Sequence, residues 1–362
     1  MQIFLYYILP FTVVLGVLIF FHELGHFMVA KFFNVKVLKF SLGFGPRIVG
    51  KRIGETEYVI SAIPLGGYVK MLGEGDDEIE ELSEEDEKRA FNNQHVLKRM
   101  AIVLAGPVFN LLLALFIFCL FYIFAGEQVM LPKVGQVRPD SPAARAGFKK
   151  GDLIISVAGT PVSSWEDIRE VVQESGGKQI EMVVKRGAEL ITLSVRPEPS
   201  EIKNIFGETK RSYLIGIVAS GEFKQVDLGV TQAIRRGVLK TWEVTKLTLL
   251  TIVKLFQRVV PIKTLGGPIL IGQMTGQLAQ QDLTYLIPFM AVISINLGIL
   301  NLLPIPILDG GLILFLLVEL IIGKPLAMKK RELAQKVGLA ILIGLMAVVM
   351  YNDISRILGG GG

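Results

Sequence analysis

His22, Glu23 and His26 fall in FHELGH, the pattern His-Glu-x-x-His. On a helix, positions four apart share a face, so two imidazoles can converge on one metal ion. The glutamate beside the first histidine can reach a water at that metal and take its proton. The chemistry of such a set is metal-assisted hydrolysis. A catalytic zinc needs three protein ligands and an open fourth position. The chain holds 3 histidines, so His95 is the one spare imidazole. It sits among charged and amide residues in FNNQHVLKR, where a surface role suits it. Asp309, in NLLPIPILDGG, is the stronger third ligand because it ends an otherwise uncharged run. Pro304 and Pro306 interrupt that run and free backbone carbonyls, a feature tolerated at membrane depth where it lines a cavity. Asn296 and Asn301 add polar groups nearby.

These residues need helices at membrane depth to position them. Uncharged apolar stretches cover Met1–Phe21, Ala101–Gly126, Leu283–Leu308 and Val337–Asn352. A bilayer core of ~30 Å takes roughly 20 apolar residues in helical form, so the expected count is four spans, the last borrowing Leu333 and Ile354. Ionisable side chains at that depth are costly and default to functional readings. The first stretch has no basic leader and no small-residue cleavage site, and cleavage there would discard FHELGH, so it reads as a retained helix. The chain is 51% hydrophobic and 20% charged, with a mean hydropathy of +0.52. Cys119 is alone, which excludes an intrachain disulfide and leaves a packing or lipid-facing thiol. The pI near 9.1 suits the positive-inside rule, and no aromatic-interleaved basic patch points to nucleic acid; the lipid bilayer is the expected partner. Lys31, Lys36, Lys39, Lys98 and Arg99 flank the first loop, and Lys324, Lys329, Lys330 and Arg331 precede the fourth span. Both loops are therefore expected in the cytoplasm, with the long segment between spans two and three outside.

The expected order is a first span with the histidine motif (1–30), a cytoplasmic-side region (31–98), span two (99–126) and a globular domain (127–222). An amphipathic interfacial helix and loop (223–282) follow, then span three (283–322), a cytoplasmic loop (323–336), span four (337–358) and a glycine tail (359–362) that is set aside. Within the first loop, Glu57–Ile63 and Tyr68–Leu72 read as short strands about a turn at Pro64-Leu65-Gly66-Gly67. The acidic run Glu74–Glu87 reads as a solvated, mobile loop. In the globular domain, QIEMVVKRGAELITLSVRP reads as a hairpin with Arg186-Gly187 at its tip, and Tyr213–Ala219 as a closing strand. TWEVTKLTLLTIVKLFQRVV reads as a helix on the membrane surface, and Glu319 as a helix-end residue at the cytoplasmic face.

His22-Glu23-Leu24-Gly25-His26 together with Asn301-Leu302-Leu303-Pro304 through Asp309-Gly310 resembles the site-2 protease family of intramembrane zinc proteases. The branch it is most similar to is the bacterial regulator-of-sigma-E protease type. GFGP (Gly43–Pro46), IPLGGYVKM (Ile63–Met71), and Gly106, Pro107 and Asn110 in FNNQHVLKRMAIVLAGPVFN fit that branch too, so the likeness spans nearly the whole chain. It implies an α-helical membrane protein with four transmembrane helices, a membrane-associated β-hairpin at 57–71, and an inserted α+β PDZ domain. It implies one Zn2+ per chain on His22, His26 and Asp309, with Glu23 as the base. Ser141-Pro142-Ala143-Ala144, Ala146-Gly147, Gly151-Asp152 and Gly159 resemble a bacterial PDZ module, with Leu214-Ile215-Gly216-Ile217 as its peptide-carboxylate loop. Some relatives carry two such modules, whereas this chain has signal for one. Many relatives have His or Arg where this chain has Leu312, a position that is not a metal ligand in the pattern.

A transmembrane helix hides its peptide bonds in internal hydrogen bonds, so a substrate must unwind before attack. An edge strand can supply replacement bonds. Gly66, Gly67 and Tyr68 are the expected edge, and Asn296, Asn301 and Pro304 the expected contacts at the other wall. The resemblance implies single-span transmembrane substrates, of anti-sigma-factor or leftover-signal-peptide type, a peptide or substrate tail at the PDZ module, and residence in the bacterial inner membrane. A catalytically inactive PDZ-bearing scaffold and a metal transporter are the competing readings. The intact ligand set opposes the first, and the lack of internal repeats opposes the second.

Overall fold

The structure, a computed structural model, describes residues 4–74 and 83–359. It divides into two compact units: Met1–Phe121 with Arg235–Leu255 and Pro261–Gly362, and Tyr122–Ile234 with Phe256–Val260. In chain order, a π-helical turn at Phe4–Ile8 leads into α1 (Leu9–Phe32), β1 (Val37–Ile53), β2 (Thr56–Met71), α2 (Glu84–Arg89) and α3 (Val96–Ala125). Next come β3 (Glu127–Met130), β4 (Val134–Val137), α4 (Pro142–Ala146), β5 (Leu153–Val157), β6 (Thr160–Pro161) and α5 (Trp165–Glu174). The strands β7 (Ile180–Arg186), β8 (Glu189–Val195), β9 (Glu198–Lys203), β10 (Thr209–Leu214), β11 (Ile217–Ala219) and β12 (Phe223–Val226) follow. Helices α6 (Val230–Phe256), α7 (Pro268–Gln281), α8 (Leu286–Asn301), α9 (Asp309–Ile322) and α10 (Met328–Leu358) complete the chain.

Among the described residues, 4 helical segments are long and apolar enough to cross a membrane: Leu5–Phe32, Val96–Ala125, Leu283–Asn301 and Lys329–Leu358. These are the four expected spans. The fourth starts at Lys329, ahead of the expected 337, and ends at the expected Leu358. Long apolar side chains such as Val13, Phe116 and Ile343 lie exposed on these helices, as lipid-facing positions do. The amphipathic α6 is not among them, and it packs on the bundle: its Gly237 lies against Cys119 of α3, and Thr248 donates a 2.8 Å hydrogen bond to Asn296 of α8.

One expectation for the loops is refined and one is corrected. β2 spans Thr56–Met71 and pairs with β1, with a first turn at Gly54-Glu55. The partners of 39–42 ascend along 57–60 and descend along 67–70, so the chain reverses between these two arms, where the turn at Pro64–Gly67 was expected, but 39–42 lies between the arms. Within this long ribbon Lys39–Leu42 has partners on both sides, Glu57–Ile60 and Gly67–Lys70. Gly43 and Gly45, at φ 91° and 84°, let β1 bend at its register shifts. Gly66, at φ 145°, lies in the reversal between Ile60 and Gly67. Second, the segment read as a loop before span three contains the helix α7, whose Gly272 and Gly276 lie against Phe11 and Tyr7. Of the acidic run, 75–82 lies outside the described residues, and Glu84–Arg89 is helical, N-capped by Ser83.

The second unit is the α+β module expected from the sequence. Its main sheet has the order β6-β5-β7-β8, with β4 paired to β11, β9 to β10, and β3 to β12. The alternating residues Ile180, Met182 and Val184 of β7 point into a core with Val134, Phe148, Ile154, Val157 and Ile168. Ser164 and Asp167 form a capping box at the start of α5. The β7–β8 hairpin turns at Gly187-Ala188, one residue beyond the expected tip at Arg186-Gly187.

Candidate active site

α1 carries His22, Glu23 and His26 on one face, and three glycines let other elements approach that face. A Cβ at Gly25 would meet the backbone of Ala105 in α3, with its carbonyl carbon at 2.7 Å. A Cβ at Gly106 would run into the His26 imidazole and lie 2.9 Å from His22 Cε1. A Cβ at Gly67 would sit 2.9 Å from Glu23 Cγ, so glycine brings β2 against the glutamate. Across the site, α8 ends at Asn301. The chain then turns through Pro304 and Pro306 and restarts as α9 with Asp309 as its first residue. A carboxylate in the first turn is favoured by the helix dipole.

The three expected ligands converge. His22 Nε2 and His26 Nε2 are 3.3 Å apart. Asp309 Oδ2 is 3.2 Å from His22 Nε2, and Asp309 Oδ1 is 3.6 Å from His26 Nε2. Zinc–nitrogen bonds of about 2.0–2.1 Å in a tetrahedral site place two ligand nitrogens roughly 3.3–3.4 Å apart, so this spacing fits zinc. Asp309 Oδ2 is buried without a hydrogen-bond partner, and a cation is the partner that converging lone pairs require. The far sides of the rings are tied down. His26 Nδ1 donates to the Ile102 carbonyl at 2.9 Å, beside the turn that Pro107 opens by lacking an N–H. His22 Nδ1 lies 3.1 Å from the side-chain amide of Asn110. Ligation through Nε2 leaves Nδ1 protonated, so the amide must present its oxygen there. A half-turn of the amide does this and gives the buried, otherwise unpartnered Asn110 Oδ1 a donor. The backbone carbonyl of Asn110 accepts from Ser294 of α8 at 2.8 Å, which fixes α3 against α8. Both imidazoles thus have an orienting partner.

The metal-ligand cluster opens into a cavity of about 550 Å³. Glu23, Asn301, Gly66, Gly67 and Tyr68 line it, as expected. The Asn301 amide nitrogen is 3.4 Å from His22 Nε2, and Tyr68 stacks on Phe44 with centroids 6.1 Å apart. Asn296 does not reach the cavity: it faces Thr248. Pro304 is exposed in the α8–α9 link and shapes the turn rather than the wall. His95 accepts from the Leu97 N–H at 3.3 Å and caps the start of α3, away from the site. Glu319 forms an ion pair with the buried Arg99. Sequence reasoning missed Glu74, which also lines the cavity. It missed the orienting roles of Asn110 and the Ile102 carbonyl as well. An asparagine within an uncharged apolar span was the available signal for Asn110.

Outside the spans, the ribbon is fixed by charge. Glu55 at its turn pairs with Arg89 of α2 and with Lys31 at the end of α1. The Arg89 guanidinium beside it, aided by Lys31, lowers the Glu55 carboxyl to about 2 despite partial burial. Lys36 holds Asp86 through both carboxylate oxygens, at 2.7 and 2.8 Å. In the second unit, α5 and the Leu214–Ile217 stretch border a groove of about 560 Å³ that Arg138 and Lys210 also line.

Two imidazoles one turn apart, an adjacent glutamate and a carboxylate from a distant helix are the constellation of a metal-dependent hydrolase. The sequence comparisons agree. The model of peptidase family M50 matches residues 10–345, and this chain belongs to that family, the site-2 protease family of the resemblance. A candidate zinc metalloprotease of Agrobacterium fabrum is 36% identical over 366 residues, covering 98% of this chain and 97% of the relative. One from Brucella suis is 37% identical, covering 96% and 94%, and one from Clostridium acetobutylicum is 36% identical, covering 94% of each. Among solved structures, the PDZ domain of an SdrC-like protein from Listeria monocytogenes matches 24% of this chain and 84% of its own, at 22% identity and a TM-score of 0.20.

Proposed function

We propose that the chain is an intramembrane zinc endopeptidase that cuts single-span transmembrane segments, with one zinc per chain held by His22, His26 and Asp309. The observation that carries this reading is the convergence of these three ligands beside Glu23, on helices apolar enough to span a bilayer. Zinc in that position supplies Lewis acidity toward the scissile carbonyl. Glu23 takes a proton from the attacking water and returns it to the leaving amide nitrogen. Asn110 and the Ile102 carbonyl keep the imidazoles aimed. The unwound substrate lies along the Gly66–Tyr68 stretch of β2, where backbone groups replace its lost helical hydrogen bonds, and Asn301 holds it from the other wall. Its substrates are of the anti-sigma-factor or leftover-signal-peptide type. The α+β module receives a peptide tail in its α5 groove or limits access by size. The protein resides in the bacterial inner membrane with that module outside, as the placement of Lys and Arg supports.

Metal analysis and cleavage of a single-span model substrate test the reading together. Glu23→Gln should keep zinc and lose cleavage, whereas His22→Ala and Asp309→Ala should lose both. Cleavage that survives Glu23→Gln, or zinc that survives Asp309→Ala at full occupancy, would sink it.

A further inference from the structure

The cavity that holds His22, Glu23, His26 and Asp309 has a further carboxylate on its wall, Glu74. Its position follows from the strand it ends. Leu72 donates its N–H to the Lys36 carbonyl at 2.9 Å, on the β1 side. Period-two alternation then turns the N–H groups of Met71, Val69 and Gly67 to the opposite edge, toward the cavity. The Met71 N–H on that edge donates to Glu74 Oε2 at 3.2 Å. Glu74 therefore closes the end of the edge that starts beside Glu23. Its side chain is exposed, and among the described residues its carboxylate makes no ion pair. The charges of Arg331, Lys70 and Asp309 act on it through space.

We propose that Glu74 is a specificity-determining residue that pairs with a lysine or arginine on the cytoplasmic flank of the substrate. This rests on the intramembrane-protease reading and its topology. His22 and His26 lie 6–10 residues from the Phe32 end of their span, about 9–15 Å along the helix. That end faces the cytoplasm. Single-span proteins carry Lys and Arg at this border, and those long side chains extend along the span. A substrate strand on the β2 edge with its scissile bond near Gly67 reaches Met71 four residues later, roughly 13 Å away. The cation that Glu74 reads is therefore borne by the fourth or fifth substrate residue from the cut, on the cytoplasmic side.

The test uses the full chain in liposomes and a single-span model protein bearing Lys, Gln or Glu at that position. Wild type should cut the Lys form about fivefold faster than the Glu form, the size of a modest ion pair. Glu74→Gln should level the three, and Glu74→Lys should reverse their order. An unchanged order in Glu74→Lys, or an equal drop on all three substrates, overturns the proposal. A second measurement does not depend on turnover. In Glu23→Gln, carbodiimide coupling should join the substrate lysine to Glu74 and fail in the Glu23→Gln, Glu74→Gln double variant. Coupling without any wild-type cleavage would defeat the protease reading while keeping the pairing of Glu74 with the cation. Cleavage that ignores charge, without coupling, would do the opposite.

Discussion

His22 and His26 differ in what holds them. His26 relies on a backbone carbonyl that no substitution removes, whereas His22 relies on the Asn110 side chain. Asn110→Leu keeps the volume and removes the acceptor. Zinc affinity, measured by competition with a chelator, should fall by about 10–100-fold with helical content unchanged; an unaltered affinity would mean that Asn110 only packs. The ligands themselves were legible in the sequence because ionisable residues are conspicuous in apolar stretches. Asn110 was less so, since an amide in a span has several uses and only its partner, 88 residues away in the chain, decides among them. Glu74 was hidden differently. It heads an acidic run that reads as solvated, and only the hydrogen bond to Met71 turns it inward.

At the scale of elements, the ribbon of β1 and β2 brings Gly67 to Glu23, and the Glu55 cluster fastens its turn. The Glu55 carboxyl lies at about 2 against an ordinary 4.5, so the cluster stabilises the docked turn above pH 4.5. That contribution fades as pH falls toward 2. Amide hydrogen exchange over 47–60 should show protection falling across that window. Glu55→Gln should show weaker protection at pH 7 and no such fall. Equal protection in both at neutral pH would dismiss the tether. The spans were readable from length and hydropathy alone. The ribbon was readable only in part: Gly66 marks a reversal, but Gly43 and Gly45 sit at register shifts within β1, and local pattern does not show that 39–42 enters between 57–60 and 67–70. The helix α7 was obscured in the same way, by glycines that serve its contact with Tyr7 and Phe11.

For the whole molecule, the two units have separate cores. Excising 130–220 should admit substrates that still carry bulky outer domains, read as new products from uncut model proteins. Unchanged size selectivity would confine the module to peptide binding. In the membrane unit, the described parts of the first and last helices are tied together. α7 packs on the first helix through Gly276 and Tyr7, and its opening N–H groups, Gly267 and Leu270, donate to the buried Asp353 of α10 at 3.0 Å. Asn352 and Arg356 grip the carbonyls of Ile262 and Lys263. The last helix is thereby coupled to the first through α7, and the bundle closes as a ring. A ring cannot be peeled from a terminus: loosening either end releases the α7 contact that steadies the other, so the metal-bearing unit should open in one concerted step rather than fray.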